Sequence, residues 1–121
     1  LGKFHHAKLK NQDNVVLWGT GKPKREFLHA DDLAQACFVL MEKYNEIKPV
    51  NIGSGEEISI QNLAKSINSI VGFKGRIIWD NSKPDGTPRK LLDICKIRAL
   101  GWKAEIDLYN GLKAIYDDQF K

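Results

Sequence analysis

Cysteine is scarce in this 121-residue chain, and long apolar runs are absent. The two cysteines, Cys37 and Cys95, lie 58 residues apart, each within an apolar-periodic segment. They are expected as reduced core residues, neither disulfide nor metal pair, which points to a cytoplasmic protein. The longest uncharged stretch, Leu33 to Met41, has nine residues. That is too short for a membrane-spanning helix, which needs about 20. The opening LGKFHHAKLK has no apolar core, so it does not read as a signal peptide. Charge is nearly balanced: 19 basic residues against 15 acidic give +4, with no long run of one sign. This excludes an electrostatic tail and permits an anionic small ligand or a nucleic acid without choosing between them. Repeats, low-complexity tracts and a dividing linker are also lacking. One domain is expected, since domains commonly run to ~100–150 residues. Methionine occurs once, at Met41, and the chain begins at Leu1 in what reads as a helix already under way. A piece of a longer protein is therefore expected.

The residues present are 42% hydrophobic and 28% charged, a globular composition. Leu1 to Lys10 has loosely helical spacing. Val15 to Trp18 reads as a strand closed by Gly19-Thr20-Gly21, and Arg25 to His29 as a second strand facing it. Asp31-Asp32 opens a helix whose apolar face is Leu33, Ala36, Cys37, Leu40 and Met41 or Tyr44. Pro49 to Gly53 reads as a strand ending in the Gly53-Ser54-Gly55 turn. Ser59 is a good N-cap for a helix bearing Leu63, Ile67, Ile70 and Val71, stopped by Gly72. Arg76 to Trp79 is a strand, and Asn81 to Lys90 is a polar loop with the turn signature Lys83-Pro84-Asp85-Gly86. Asp93 and Asp107 open two further helices, the last with Leu108, Leu112, Ile115 and Tyr116 as its buried stripe. Strands alternating with helices predict a small mixed α/β fold.

Catalytic signatures are absent. There is no Gly-x-Gly-x-x-Gly after a strand, no phosphate-binding P-loop, no nucleophile elbow and no His-Glu-x-x-His. The two glycine turns are too short for a dinucleotide fingerprint and read as plain turns. His5-His6 are adjacent, so they do not share a helix face and read as a solvated pair instead of a metal site. No residue here is assigned to catalysis, to cofactor binding or to a metal. What remains is one indole and several cations in turn-rich places: Trp18, Arg25, Arg76, Lys83, Arg89 and Lys90. A guanidinium fork matches phosphate oxygens, lysine supplies a point charge, and an indole stacks on a base or sugar.

The run VVLWGTGKPKREFLHADDLAQA, with Arg25, Phe27, His29 and Asp31-Asp32-Leu33-Ala34, resembles the start of the C-terminal domain of extended short-chain dehydrogenases/reductases acting on nucleotide sugars. NIGSGEEISI is similar to the same family. Ser82 to Asp93, SKPDGTPRKLLD, resembles the GDP-L-fucose synthase branch. The resemblance implies that this chain is the substrate-binding part, residues 1–121, with the Rossmann domain lying outside it. It implies an NADP-dependent conversion of GDP-4-keto-6-deoxymannose to GDP-L-fucose, by epimerisation at two sugar carbons and then reduction. It further implies that NADP and the acid/base groups sit on the other domain, that this part alone is inactive, and that the whole protein is a homodimer without metal, nucleic acid or membrane partner. Carried over to this sequence, the substrate contacts are Lys3, Trp18, Arg25, Arg76 and Lys90. Arg25 and Arg76 would hold the diphosphate, Trp18 would line the pocket, and the Lys83–Lys90 loop would close over the ligand. The alternatives are another nucleotide-sugar epimerase or dehydratase, and a non-catalytic nucleotide-binding module.

Overall fold

A computed structural model describes residues 1–120. In chain order the elements are α1 (Gly2–Leu9), β1 (Asn14–Trp18), β2 (Lys24–Glu26), α2 (Ala30–Lys43), β3 (Glu57–Ser59), α3 (Ile60–Val71), β4 (Arg76–Asp80), β5 (Arg89–Lys90), α4 (Cys95–Ala99) and α5 (Leu108–Phe120). The mixed α/β class read from the sequence is the one observed.

Two small sheets organise the chain. β1 and β4 run parallel, with Asn14 opposite Arg76 and Trp18 opposite Asp80. The second sheet has the order β3-β2-β5, antiparallel on one side of β2 and parallel on the other. So β2 does not face β1, as the sequence suggested. The Gly19–Pro23 turn carries it into the other sheet, where Ile60 N–H donates to the Pro23 carbonyl at 3.0 Å.

Two cores form, and the β1/β4 pair packs on the first. Phe4 and Ala7 of α1, Val15 of β1, Ala64 and Val71 of α3, Phe73 and Tyr116 of α5 form the first. Ala36 of α2, Ile94, Ile97 of α4 and Trp102 form the second. α3 is the helix the sequence describes. Ser59 caps it by accepting from Asn62 N–H at 3.1 Å, and Gly72 ends it in the left-handed region at φ 69°.

α2 departs from the expectation. It begins at Ala30, and its cap is His29, whose Nδ1 accepts from Asp31 N–H at 3.2 Å. Asp32 does not cap. It is 1% exposed and accepts from the backbone N–H groups of Glu105 and Ile106 at 3.2 and 3.0 Å. A carboxylate buried this deeply requires such donors. They turn Asp32 inward, and Ala36, Val39 and Leu40 follow on the same face. The predicted stripe is thereby split: Ala36 and Leu40 lie on the core, whereas Leu33, Cys37 and Met41 are exposed, as is Phe38 outside the stripe. Cys95 is exposed too, because α4 turns Ile94 and Ile97 inward. Both cysteines are free, but neither is a core residue.

The strand expected over residues 49–53 forms no ladder. Val50 and Ile52 pack on the second core, and Asn51 Nδ2 donates to the Asp93 carbonyl at 3.1 Å. β3 begins four residues later and supplies the strand beside β2. Among the described residues no helix is long and apolar enough to cross a membrane.

Candidate functional site

The site is built at the carboxyl end of the β1/β4 pair, where ligands gather in open parallel sheets. Trp18 ends β1 and is 72% exposed, an unusual position for an indole with no structural partner to bury it. Gly19 and Gly21 follow with φ of 77° and 74°, a backbone that L side chains rarely adopt. The turn then delivers Arg25 on β2.

The small sheet sorts its cations by face. Side chains alternate across a strand, so Lys24, Arg89 and Glu57 project to one side, and Arg25 and Lys90 to the other. On the first side Glu57 accepts from Arg89 Nε at 2.6 Å and from Lys24 Nζ at 2.9 Å, joining all three strands. These two cations, Arg89 first, hold the Glu57 carboxyl below the usual glutamate range. On the second side Arg25 and Lys90 are register partners, and no carboxylate pairs with either among the described residues. Arg25 Nη1 donates to the Lys24 carbonyl at 2.6 Å, which fixes the guanidinium.

The loop between β4 and β5 folds across this face. Lys83 Nζ stands 5.9 Å from the Trp18 ring centre. Asp85 reaches back to the glycine turn, accepting from Thr20 N–H at 2.8 Å and from Thr20 Oγ1 at 2.6 Å. The Thr20 hydroxyl, then the Thr20 amide, hold the Asp85 carboxyl below the usual aspartate range. A hollow of about 120 Å³ remains, lined by Trp18, Pro23, Arg25, Ile60, Asp85 and Gly86.

Of the five residues carried over from the resemblance, Trp18, Arg25 and Lys90 come together here. Lys3 reaches β1 from α1, donating to the Val16 carbonyl at 2.6 Å, two residues before Trp18. Arg76 is the exception. It opens β4 opposite Asn14, at the amino end of the strand pair. Four residues at ~3.3 Å each separate its level from Trp18 by about 13 Å. It lines a different hollow of about 820 Å³, with Lys8, Asn11, Gly72 and Lys74. Although that hollow is larger, it is the poorer anion site. The carboxyl ends of α1 and α3 face it, and helix carboxyl ends are electronegative. Lys8 is already engaged, donating to the Val71 carbonyl at 2.8 Å. Sequence reasoning missed Asp85 and Thr20, reading them only as turn residues. The one carboxylate in an otherwise cationic loop was the available signal.

Among the described residues the two glycine turns do not form a cradle for a dinucleotide cofactor. A phosphate at a glycine turn needs free backbone N–H groups, and here a carboxylate takes one at each turn, Asp85 from Thr20 and Glu26 from Gly55. Asp85 occupies the space beside Gly19, where a Cβ would lie 2.3 Å from its Oδ1. Glu26 does the same at the second turn, accepting from Gly55 N–H at 2.6 Å. Both behave as structural turns.

The stretch from α1 through α2, which carries Trp18 and Arg25, matches a known class of protein. Residues 2–53 match the NAD dependent epimerase/dehydratase family. The small mixed α/β fold is similar to part of an extended short-chain dehydrogenase/reductase. Within that class the chain is similar over nearly all its length to GDP-L-fucose synthases. It is 51% identical to GDP-L-fucose synthase 1 of Arabidopsis thaliana over 97% of its own length and 36% of the relative. Against GDP-L-fucose synthase of Escherichia coli (strain K12) it is 46% identical over 96% of its length and 39% of the relative. A GDP-L-fucose synthetase from Naegleria fowleri, solved bound to NADP, superimposes with a TM-score of 0.89 at 25% identity, over 98% of this chain and 39% of that one. The chain thus spans somewhat over a third of the length of these relatives.

Proposed function

We propose that residues 1–121 are the nucleotide-sugar-binding part of an NADP-dependent GDP-4-keto-6-deoxymannose 3,5-epimerase/4-reductase that makes GDP-L-fucose. The observation that carries this reading is the face that holds Arg25 and Lys90 without carboxylate partners beside the exposed Trp18. Arg25 donates to the diphosphate, because a fixed guanidinium fork matches two phosphate oxygens. Lys90 adds a second positive charge at the next strand, and Lys3 a third from α1. Trp18 offers its indole to the base or sugar. Arg76, at the far end of β4, has no part in holding the same diphosphate.

The work of this part is positional. Binding energy from the nucleotide, remote from the reacting carbons, fixes the keto-sugar for chemistry supplied elsewhere in the full-length protein. NADP and the acid/base residues belong to that other part, since the glycine turns here are filled by Asp85 and Glu26. The residues described here carry no reaction on their own in this reading. The full-length protein is a homodimer that partners neither nucleic acid nor membrane.

The test is calorimetric titration of the native protein with GDP, UDP and ADP. Saturable binding of GDP, at least tenfold tighter than UDP or ADP, supports a GDP-sugar site. Equal affinity for all three leaves only phosphate recognition and sinks the fucose-synthase reading. Conversion of GDP-4-keto-6-deoxymannose by the full-length protein with NADPH tests the reaction itself.

A further inference from the structure

We infer that Thr20, acting through Asp85, is the positioning residue that sets the 81–88 segment as a lid over the Trp18–Arg25 face, covering a nucleoside diphosphate. The inference rests on the reading above and adds to it a mechanical part.

The segment is fixed at three points. At its start Asp80 Oδ1 accepts from Ser82 N–H at 3.0 Å, and the Asp80 carbonyl from Lys83 N–H at 3.2 Å. At its end the Pro88 carbonyl accepts from Lys24 N–H at 2.9 Å, and Arg89 is tied to Glu57. Between these anchors the only described hydrogen bonds from the segment to the turn are the two from Thr20 to Asp85. Removing them frees the residues around Asp85 while both ends stay held, which is the behaviour of a lid and not of an unfolding loop.

The clasp is built on both sides. The Thr20 hydroxyl accepts from Lys22 N–H at 3.2 Å, which directs its proton to Asp85. The carboxylate lies in space that only a glycine leaves open, for a Cβ on Gly19 would meet Asp85 Oδ1 at 2.3 Å. Gly86, next in the segment, lies against Arg25, where a Cβ would stand 3.1 Å from Nη2. With the clasp shut, the hollow beside Arg25 is about 120 Å³. The clasp thereby holds the segment in place before a ligand arrives, so a nucleoside diphosphate on Arg25 and Trp18 is covered without the cost of ordering a loose loop.

The experiment compares the native protein with Thr20→Val, Thr20→Ser and Asp85→Asn. Hydrogen exchange is read by mass spectrometry on peptides covering 17–22 and 81–88, and GDP affinity is measured in parallel. Thr20→Val keeps the shape and loses the hydroxyl donor; Thr20→Ser restores it. Loss of a hydrogen bond to a charged group should speed exchange in both peptides and weaken GDP about tenfold in Thr20→Val and Asp85→Asn. Thr20→Ser should stay within about twofold of the native protein on both readouts, because its donor is retained. Native-like exchange in Thr20→Val overturns the clasp. Faster exchange with unchanged GDP affinity overturns its role in positioning. If the native protein binds no GDP, the nucleotide reading fails, and exchange alone then decides whether the clasp exists.

Discussion

The two ends of the β1/β4 pair are built from similar residues and do different work. Each has a glycine-containing turn, an arginine, lysines and an aromatic side chain. At the carboxyl end Trp18 is exposed and Arg25 has no carboxylate partner, and a loop folds over both. At the amino end Phe73 is buried against Phe4, with ring centres 6.0 Å apart. There Gly75 is wedged between the Phe73 ring and the Asp13 backbone, and Lys8 closes the end of α3. In the proposed reading the cations at the carboxyl end serve a ligand, whereas at the amino end Lys8 donates to the last carbonyl of α3. Substitutions at one end should change binding, and at the other stability.

The largest separation is expected from Arg25→Ala. It should weaken GDP by about 1.5–3 kcal/mol, the scale of a hydrogen bond to a charged group, and leave the unfolding midpoint nearly unchanged. Calorimetry with a denaturant titration on the same sample reads both. Gly75→Ala should do the reverse. An added Cβ would lie 2.6 Å from the Asp13 carbonyl oxygen and 2.3 Å from the Phe73 ring. Overpacking of this kind costs about 1–3 kcal/mol of stability, and the folded protein should bind GDP as before. Trp18→Ala comes next. Loss of stacking should weaken GDP by roughly 1–2 kcal/mol, and stability should hold because the side chain is 72% exposed.

Glu57→Gln gives a smaller effect, and pH resolves it. Because Arg89 and Lys24 lower the Glu57 carboxyl from its ordinary 4.5, its contribution is complete above that value and is lost as pH falls through the lowered one. The stability difference between native protein and variant should therefore be constant at neutral pH and vanish in acid. A difference that grows in acid would contradict the ion network. Smallest of all is Arg76→Ala, a surface change expected to stay within about 0.5 kcal/mol in stability and to leave GDP affinity alone.

Much of this architecture was legible in the sequence, because the signals were local. Ser59 and Gly72 bracket α3 by capping chemistry that needs no tertiary context. Trp18, Arg25 and Lys90 were readable as a group through their motifs. What was not legible depended on contacts distant in sequence. Asp32 looks like a helix cap, and only the 105–106 backbone, more than 70 residues away, turns it inward and splits the predicted apolar face of α2. Residues 49–53 have the composition of a strand, but a strand also needs a ladder partner. Arg76 was chosen by residue type and motif; the parallel register, which puts it at the opposite end of the strand pair from Trp18, was not readable. Asp85 was read as half of a turn dipeptide, and its tie to Thr20 spans 65 residues.

The proposed ligand site lies at the carboxyl end of the strand pair, and amide chemical-shift mapping of the native protein during a GDP titration locates it. Saturable shifts are expected at Trp18, Thr20, Arg25 and Gly86 and none at Lys74, Gly75 and Arg76. Shifts centred on Lys74 to Arg76, with Trp18 and Arg25 silent, would contradict it.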